Sequence, residues 1–218
     1  MHRSYVLRSG RYTTAQKNAY DSMRDQFLIP FSDNNIDFSK IFQNKNITME
    51  IGFGMGAATA QIARDNPEMN YIGVEVHRPG IGRLLWEIKN QSLSNIRIIE
   101  YDASIAAGTM IPSLSLDAIH IFFPDPWPKK RHKKRRLIQR PFTETLAKCL
   151  KHEGYLYMVT DWEDYGLQAL EELTLTAGLQ NAYNGFADPQ TWRPQTKFEK
   201  KGIAGNHTIR ELFFIKKV

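Results

Sequence analysis

Residues 47–66 read ITMEIGFGMGAATAQIARDN. An apolar run carrying one acid, Glu50, meets three glycines at alternate positions, Gly52, Gly54 and Gly56, and small and apolar residues then recur until Pro67. Glycine enters left-handed backbone without steric cost and lets another group approach closely. The stretch 47–54 therefore reads as a buried strand ending in a glycine turn. Residues 56–66 have the spacing of a helix that stops at the proline.

The same alternation continues outward. Apolar runs at 71–76, 96–102, 116–123, 154–161 and 208–217 read as strands. Helical spacing recurs at 80–91, after Pro141 with Phe142, Leu146, Cys149 and Leu150 on one face, and at 162–178. Residues 181–207 read as irregular. Strands alternating with helices imply right-handed crossovers and a mostly parallel sheet covered on both faces, a doubly wound α/β domain. Residues 1–40 are expected to form an N-terminal arm and lead-in helix, and 41–218 the domain itself.

Among 218 residues there is one cysteine, Cys149, so no internal disulfide or multi-thiolate zinc site can form. Five of the histidines, His77, His120, His132, His152 and His207, are scattered without ligand spacing, and no metal is expected. No apolar run reaches the roughly 18–20 residues of a membrane span, and the first twenty residues lack a signal-peptide core. A cytoplasmic protein is the expectation. The net charge of +6 is concentrated: Lys129–Arg136 carries +7, leaving the other 210 residues near −1. Such a segment favours a local contact with a polyanion.

Five acids fall at or just beyond successive strand ends: Glu50, Glu75, Asp102, Asp125 and Asp161. Any one could simply cap a helix. Together they line the sheet edge where ligands of open α/β folds bind. Glu75 follows Gly56 by 19 residues, the spacing of an acid that accepts from ribose hydroxyls, so an adenosine cofactor is expected. Gly52, Gly54 and Ala57 also fit a dinucleotide fingerprint. Glu50 argues against it, because a carboxylate there would oppose a pyrophosphate yet suit the cationic end of S-adenosylmethionine.

The fourth strand runs into Pro124-Asp125-Pro126-Trp127-Pro128 and then KKRHKKRR. Flanking prolines restrict Asp125 to extended backbone, so its carboxylate is positioned before any ligand arrives. Trp127 alone reads as packing. The basic run reads either as a solvated surface or as a cradle for a phosphate backbone that delivers a base to the cofactor edge.

With EIGFGMG, GVEVHRPGIG, FFPDPWPKKRHKKRR, TDWEDY and RPQTKFEKKGIAGNH in this order, the chain resembles the bacterial tRNA (guanine-N7-)-methyltransferases. The resemblance implies a Rossmann-like class I S-adenosylmethionine-dependent methyltransferase with an antiparallel C-terminal strand. It further implies methylation of guanine 46 in the variable loop of tRNA. By the same likeness Glu50, Glu75, Asp102 and Asp125 face the cofactor with Gly52, Gly54 and Gly56, and Asp125 is also the catalytic position. Lys129, Asp161 and Thr196, Lys197, Phe198 and Glu199 match substrate-binding positions. Arg131, His132, Lys133, Lys134, Arg135 and Arg136 match an RNA-contacting stretch, with Lys133 standing where the family often has His or Asn.

Guanine N7 has a free lone pair, so catalysis should rest on in-line placement, with Asp125 or Asp161 accepting from the opposite edge of the base. Trp127, Tyr165, Trp192 and Phe198 are candidate stacking platforms. Arg3, Arg8 and Arg11 could add phosphate contacts. Two rivals stand beside this reading. A single-domain NAD(P)-dependent oxidoreductase lacks its Tyr-x-x-x-Lys pair after the fourth strand, and a non-enzymatic RNA-binding module would be expected to lose strand-end acids. A monomer or homodimer is expected.

Overall fold

The computed structural model describes residues 4–5 and 12–217, apart from the side chains of Lys197, Phe198 and Lys201. Arg3, Arg8 and Arg11 lie outside the described residues. The elements run α1 (Thr14–Phe27), β1 (Ile47–Ile51), α2 (Ala57–Asp65), β2 (Asn70–Glu75), α3 (Arg78–Gln91), β3 (Ile96–Glu100), α4 (Ala103–Thr109) and β4 (Leu116–Phe122). They continue through α5 (Phe142–Cys149), β5 (Leu150–Thr160), α6 (Glu163–Thr174), β6 (Leu179–Asn181), α7 (Lys197–Ala204) and β7 (Arg210–Lys216).

One seven-stranded sheet has the order β3-β2-β1-β4-β5-β7-β6. The first five strands are parallel, and β7 runs antiparallel between β5 and β6. The doubly wound sheet with its antiparallel C-terminal strand is thus the architecture expected. The central strands are apolar on both faces because helices cover both. On one side Ala60, Ile62, Ile81, Leu84 and Leu85 of α2 and α3, with Ala19 and Tyr20 of α1, pack beneath Tyr71, Ile98 and Phe122. On the other, Ala106, Leu146, Ala169 and Leu173 of α4 to α6 meet Met49, Ile72, Ile119 and Met158. The strand order reverses between β2-β1 and β4, which places a crevice at their carboxyl ends.

Several local readings needed tertiary context. Helix α1 was legible only as a lead-in; its capping box joins Thr13 and Gln16, and the chain beyond it pairs with the edge strand through Ile29 N and Ile98 O at 2.8 Å. The short α4, β6 and α7 were not expected, and the last two lie in or beside the stretch read as irregular. Pro141 is the N-cap of α5 rather than its first residue, and Leu150 begins β5 instead of closing the helix face.

The glycine turn is held against the start of α3. A Cβ on Gly80 would lie 1.9 Å from the Gly54 carbonyl oxygen. A Gly80→Ala substitution should therefore push the turn and helix apart. We expect a loss of about 1–3 kcal/mol, the usual range for forced overpacking, measured as a lower urea midpoint at unchanged slope.

Candidate active site

A cleft opens at the carboxyl edge of β1, β2 and β4. Its walls include Gly52, Glu75, Tyr101, Phe123, Pro124 and Asp125. Gly52, Gly54 and Gly56 all have positive φ, at 74°, 56° and 69°. Nothing lies within 4 Å of a Cβ built on Gly52 or Gly54, so their backbone is open on the side from which a ligand would come. Gly56 instead faces Leu84 of α3, where a Cβ would fall at 2.7 Å. Two of the three glycines leave space for a ligand, and the third packs against a helix.

Glu75 ties the turns together. Its Oε2 accepts from Gly54 N at 2.9 Å, and its Oε1 accepts from Val76 N at 2.7 Å and His77 N at 3.1 Å. A carboxylate can accept about four hydrogen bonds, so capacity remains for a ribose hydroxyl in the cleft. Asp102 caps α4 through Ser104 N at 2.9 Å and Ile105 N at 3.2 Å. Its neighbours Tyr101 and Ala103 line the cleft.

Glu50 departs from expectation. It is buried, 3% exposed, on β1 between Gly73 and His120, and does not reach the cleft wall. Burial raises its pKa from 4.5 to about 7, with the neighbouring Thr59 hydroxyl opposing the rise and the Glu75 charge adding to it. At neutral pH it is therefore part-protonated, where a fixed negative charge had been expected. Because the folded-state pKa is the higher one, this carboxyl's contribution to stability is present below about pH 4.5 and lost as pH rises through about 7.

The turn after β4 is strained at both ends. Phe123 and Trp127 have positive φ, 51° and 44°, uncommon for bulky side chains. Strain of this kind costs on the order of 1–3 kcal/mol per residue and persists where surrounding contacts over-determine it. Trp127 Nε1 donates to Ser4 O at 2.9 Å, and the Arg135 guanidinium lies 4.9 Å over its ring. Asp125 is exposed on the cleft wall.

The basic stretch forms a short 3-10 helix over Lys130–Arg135, and its residues divide. Lys129, Lys130, Arg131 and Lys134 are exposed. Lys133 Nζ donates to Asp164 at 2.7 Å. Partial burial and the cations of Arg131, Arg135 and Lys129 hold the His132 pKa below the usual imidazole range, so it adds little charge at neutral pH. Arg136 is 1% exposed, which removes it from the surface a phosphate backbone could touch.

In the Thr196–Glu199 segment, the side chains described are those of Thr196 and Glu199. Glu199 is buried and forms a bidentate pair with Arg193 at 2.6 and 2.8 Å. Arg193 bridges onward to Glu211 at 2.9 Å and to the Tyr157 hydroxyl at 3.1 Å. Thr196 and Glu199 cap the start of α7 reciprocally: Thr196 Oγ1 accepts from Glu199 N at 3.0 Å, and Glu199 Oε2 accepts from Thr196 N at 3.3 Å. Their polar atoms hold the start of α7 in place. Asp161, at the end of β5, lies beside α7, with Oδ2 3.4 Å from His207 Nδ1. It is not part of the cleft wall.

Of the aromatic candidates, Tyr165 is fully buried, and its hydroxyl accepts from Ile138 N at 3.0 Å. Trp192 stacks on the buried His120 at 4.9 Å and is 38% exposed. Among the described residues, no three His, Cys, Asp or Glu side chains are grouped to hold a metal ion. No helix among them is long and apolar enough to cross a membrane.

Sequence reasoning missed Arg193, Glu211, Tyr157 and Asp164. Asp164 carried a signal, an acid in the first turn of a helix directly after Asp161. The others are contributed by separate elements and meet only in the folded chain.

This sheet, with its glycine turn and acid-lined crevice, is that of the class I S-adenosylmethionine-dependent methyltransferases. Solved structures agree at the level of fold. A 16S rRNA (adenine(1408)-N(1))-methyltransferase with cosubstrate SAM from Catenulisporales acidiphilia aligns over 85% of this chain and 93% of its own, with a TM-score of 0.59 at 14% identity. The 16S rRNA methyltransferase KamB aligns over 100% of both chains, at 0.58 and 12%. The family model described as "Putative methyltransferase" matches residues 44–212. The tRNA (guanine-N(7)-)-methyltransferase of Nitrosomonas eutropha is 48% identical over 98% of this chain and 96% of its own. That of Burkholderia mallei is 48% identical over 99% and 82%. The chain belongs to the bacterial tRNA (guanine-N(7)-)-methyltransferase family.

The residues present fit the cofactor of this family. Open glycine backbone, the Glu75 carboxylate and a titratable Glu50 behind the turn would provide room, a ribose acceptor and negative potential. A cation bound nearby should favour ionised Glu50 and release its proton. Affinity for S-adenosylmethionine should therefore rise roughly threefold to tenfold between about pH 6 and 8. Calorimetry in buffers of differing ionisation enthalpy should record proton release, and both effects should vanish in Glu50→Gln.

Proposed function

We propose that this chain methylates N7 of guanine 46 in the variable loop of tRNA. The observation that carries the reading is the continuity of Asp125, on the wall of the cofactor cleft, with the exposed cations that begin four residues later at Lys129. A polyanion resting on Lys129, Lys130, Arg131 and Lys134 brings its bases to the cleft mouth. When bound, S-adenosylmethionine supplies the electrophilic methyl group.

The chain's own contribution is placement. Guanine N7 needs no deprotonation, so a general base is unnecessary at the attacking atom. Asp125 accepts hydrogen bonds from N1–H and the exocyclic amine on the far edge of guanine. That contact selects guanine over adenine, whose corresponding edge lacks the paired donors. It also stabilises the positive charge that develops on the purine ring as methylation proceeds. Asp125 is preferred to Asp161 for this role, because Asp125 lines the cleft while Asp161 is not among its lining residues and lies against His207. Asp161 and the exposed surface of α7 are left to contact neighbouring nucleotides. Trp192, the partly exposed aromatic in this region, is the stacking surface for an unstacked base.

Transfer of labelled methyl to an unmodified tRNA transcript tests the reading, beside a transcript with adenine at the variable-loop position. Label should appear only with guanine and map to N7. In Asp125→Asn, turnover should fall on the order of a hundredfold, with S-adenosylmethionine affinity changed by less than about threefold. Equal losses in both would remove Asp125 from the role of orienting the base.

A further inference from the structure

Arg136 ends the basic run but does not share its environment. Its Nε donates to the Pro126 carbonyl at 2.8 Å. One terminal nitrogen donates to Gln168 Oε1 at 2.5 Å and the Asp164 carbonyl at 3.4 Å, and the other to Asp164 Oδ2 at 2.5 Å. The guanidinium lies 4.9 Å over the Tyr165 ring. Pro126 directly follows Asp125, inside the turn whose ends, Phe123 and Trp127, hold strained positive φ. Asp164 and Gln168 are both on α6, which is packed on the sheet through Tyr165, Ala169 and Leu173. The rigid fork of arginine thus connects the backbone of the acidic turn to the body of the fold.

We propose that Arg136 is a positioning residue for methyl transfer: it clamps the Pro124–Pro128 turn to α6 and so fixes Asp125 at the cleft, while the exposed cations bind phosphate. Asp164 links the two tasks, since its other oxygen accepts from Lys133 of the basic segment. The inference rests on the methyl-transfer reading, and it assigns Arg136 a role different from that of the residues beside it.

The salt dependence of tRNA binding separates the clamp from a phosphate contact. Losing one phosphate contact should lower the slope of log K against log salt by about one. Lys134→Met should do so. Arg136→Met should leave the slope unchanged, while the single-turnover rate at saturating tRNA and S-adenosylmethionine falls on the order of a hundredfold. Arg136→Lys should recover little of that rate, because a single ammonium cannot span Pro126, Asp164 and Gln168 together. A slope lowered by about one in Arg136→Met, with the saturated rate intact, would overturn the proposal.

If Arg136→Met does not fold, Gln168→Met decides. It removes one partner of the clamp from a half-exposed position, and the rate should fall roughly threefold to tenfold at unchanged tRNA affinity. An unchanged rate overturns the clamp. Absence of methyl transfer by the unsubstituted chain would count against the activity itself, whereas the slope in Arg136→Met distinguishes clamp from phosphate contact even then.

Discussion

The hydrogen bond from Gly54 N to the Glu75 carboxylate, 2.9 Å long, joins the first two crossover turns, and the cofactor edge of the sheet depends on it. The same carboxylate caps the chain leaving β2 through Val76 N and His77 N. With Gly80 seated against the Gly54 carbonyl, the turn after β1 and the start of α3 form one closed unit. An acid in this place has two uses, holding three backbone amides and keeping negative potential in the cleft. The arrangement needs glycine at 52, 54 and 56 because each has positive φ, and at 80 because no Cβ fits there.

A concentrated run of positive charge is not a uniform surface. Within eight residues, four side chains are exposed, Lys133 is paired to Asp164, the His132 imidazole is held largely neutral, the Arg135 guanidinium lies over Trp127, and the Arg136 guanidinium is buried. The division follows from geometry. A short 3-10 helix brings its far end back against α6, so the last arginine of the run reaches inside while Arg131 stays exposed and Arg135 lies over Trp127. Asp164 accepts from both Lys133 and Arg136, and those two contacts hold its carboxyl pKa below the usual range.

The C-terminal region shows a related economy. Arg193 comes from an irregular stretch, Glu199 from α7, Glu211 from β7 and Tyr157 from β5. Burying these charges is costly in isolation, yet the bidentate geometry and shared partners compensate. The result anchors a short helix that lies over Asp161, with Gly202 close to that carboxylate.

The antiparallel run of the last strand was implied only by the family resemblance; periodicity, glycine spacing and the acids at strand ends by themselves determined the doubly wound sheet and the edge that carries the candidate site. Those features are local: alternation, helical spacing and turn chemistry are written in contiguous residues. The glycine turn with its positive φ, and the placing of Glu75 and Asp125 at the carboxyl edge of the sheet, were legible for the same reason. What only the tertiary structure decided is which polar side chains face outward. Glu50 looked like a charge beside the cofactor and is a buried, part-protonated carboxyl; Glu199 looked like a substrate contact and is the partner of Arg193; Arg136 looked like one more phosphate ligand and is enclosed. Exposure depends on elements tens of residues apart in the chain, here α6 against the basic run and β5, β7 and α7 around Arg193, and no local pattern records those meetings.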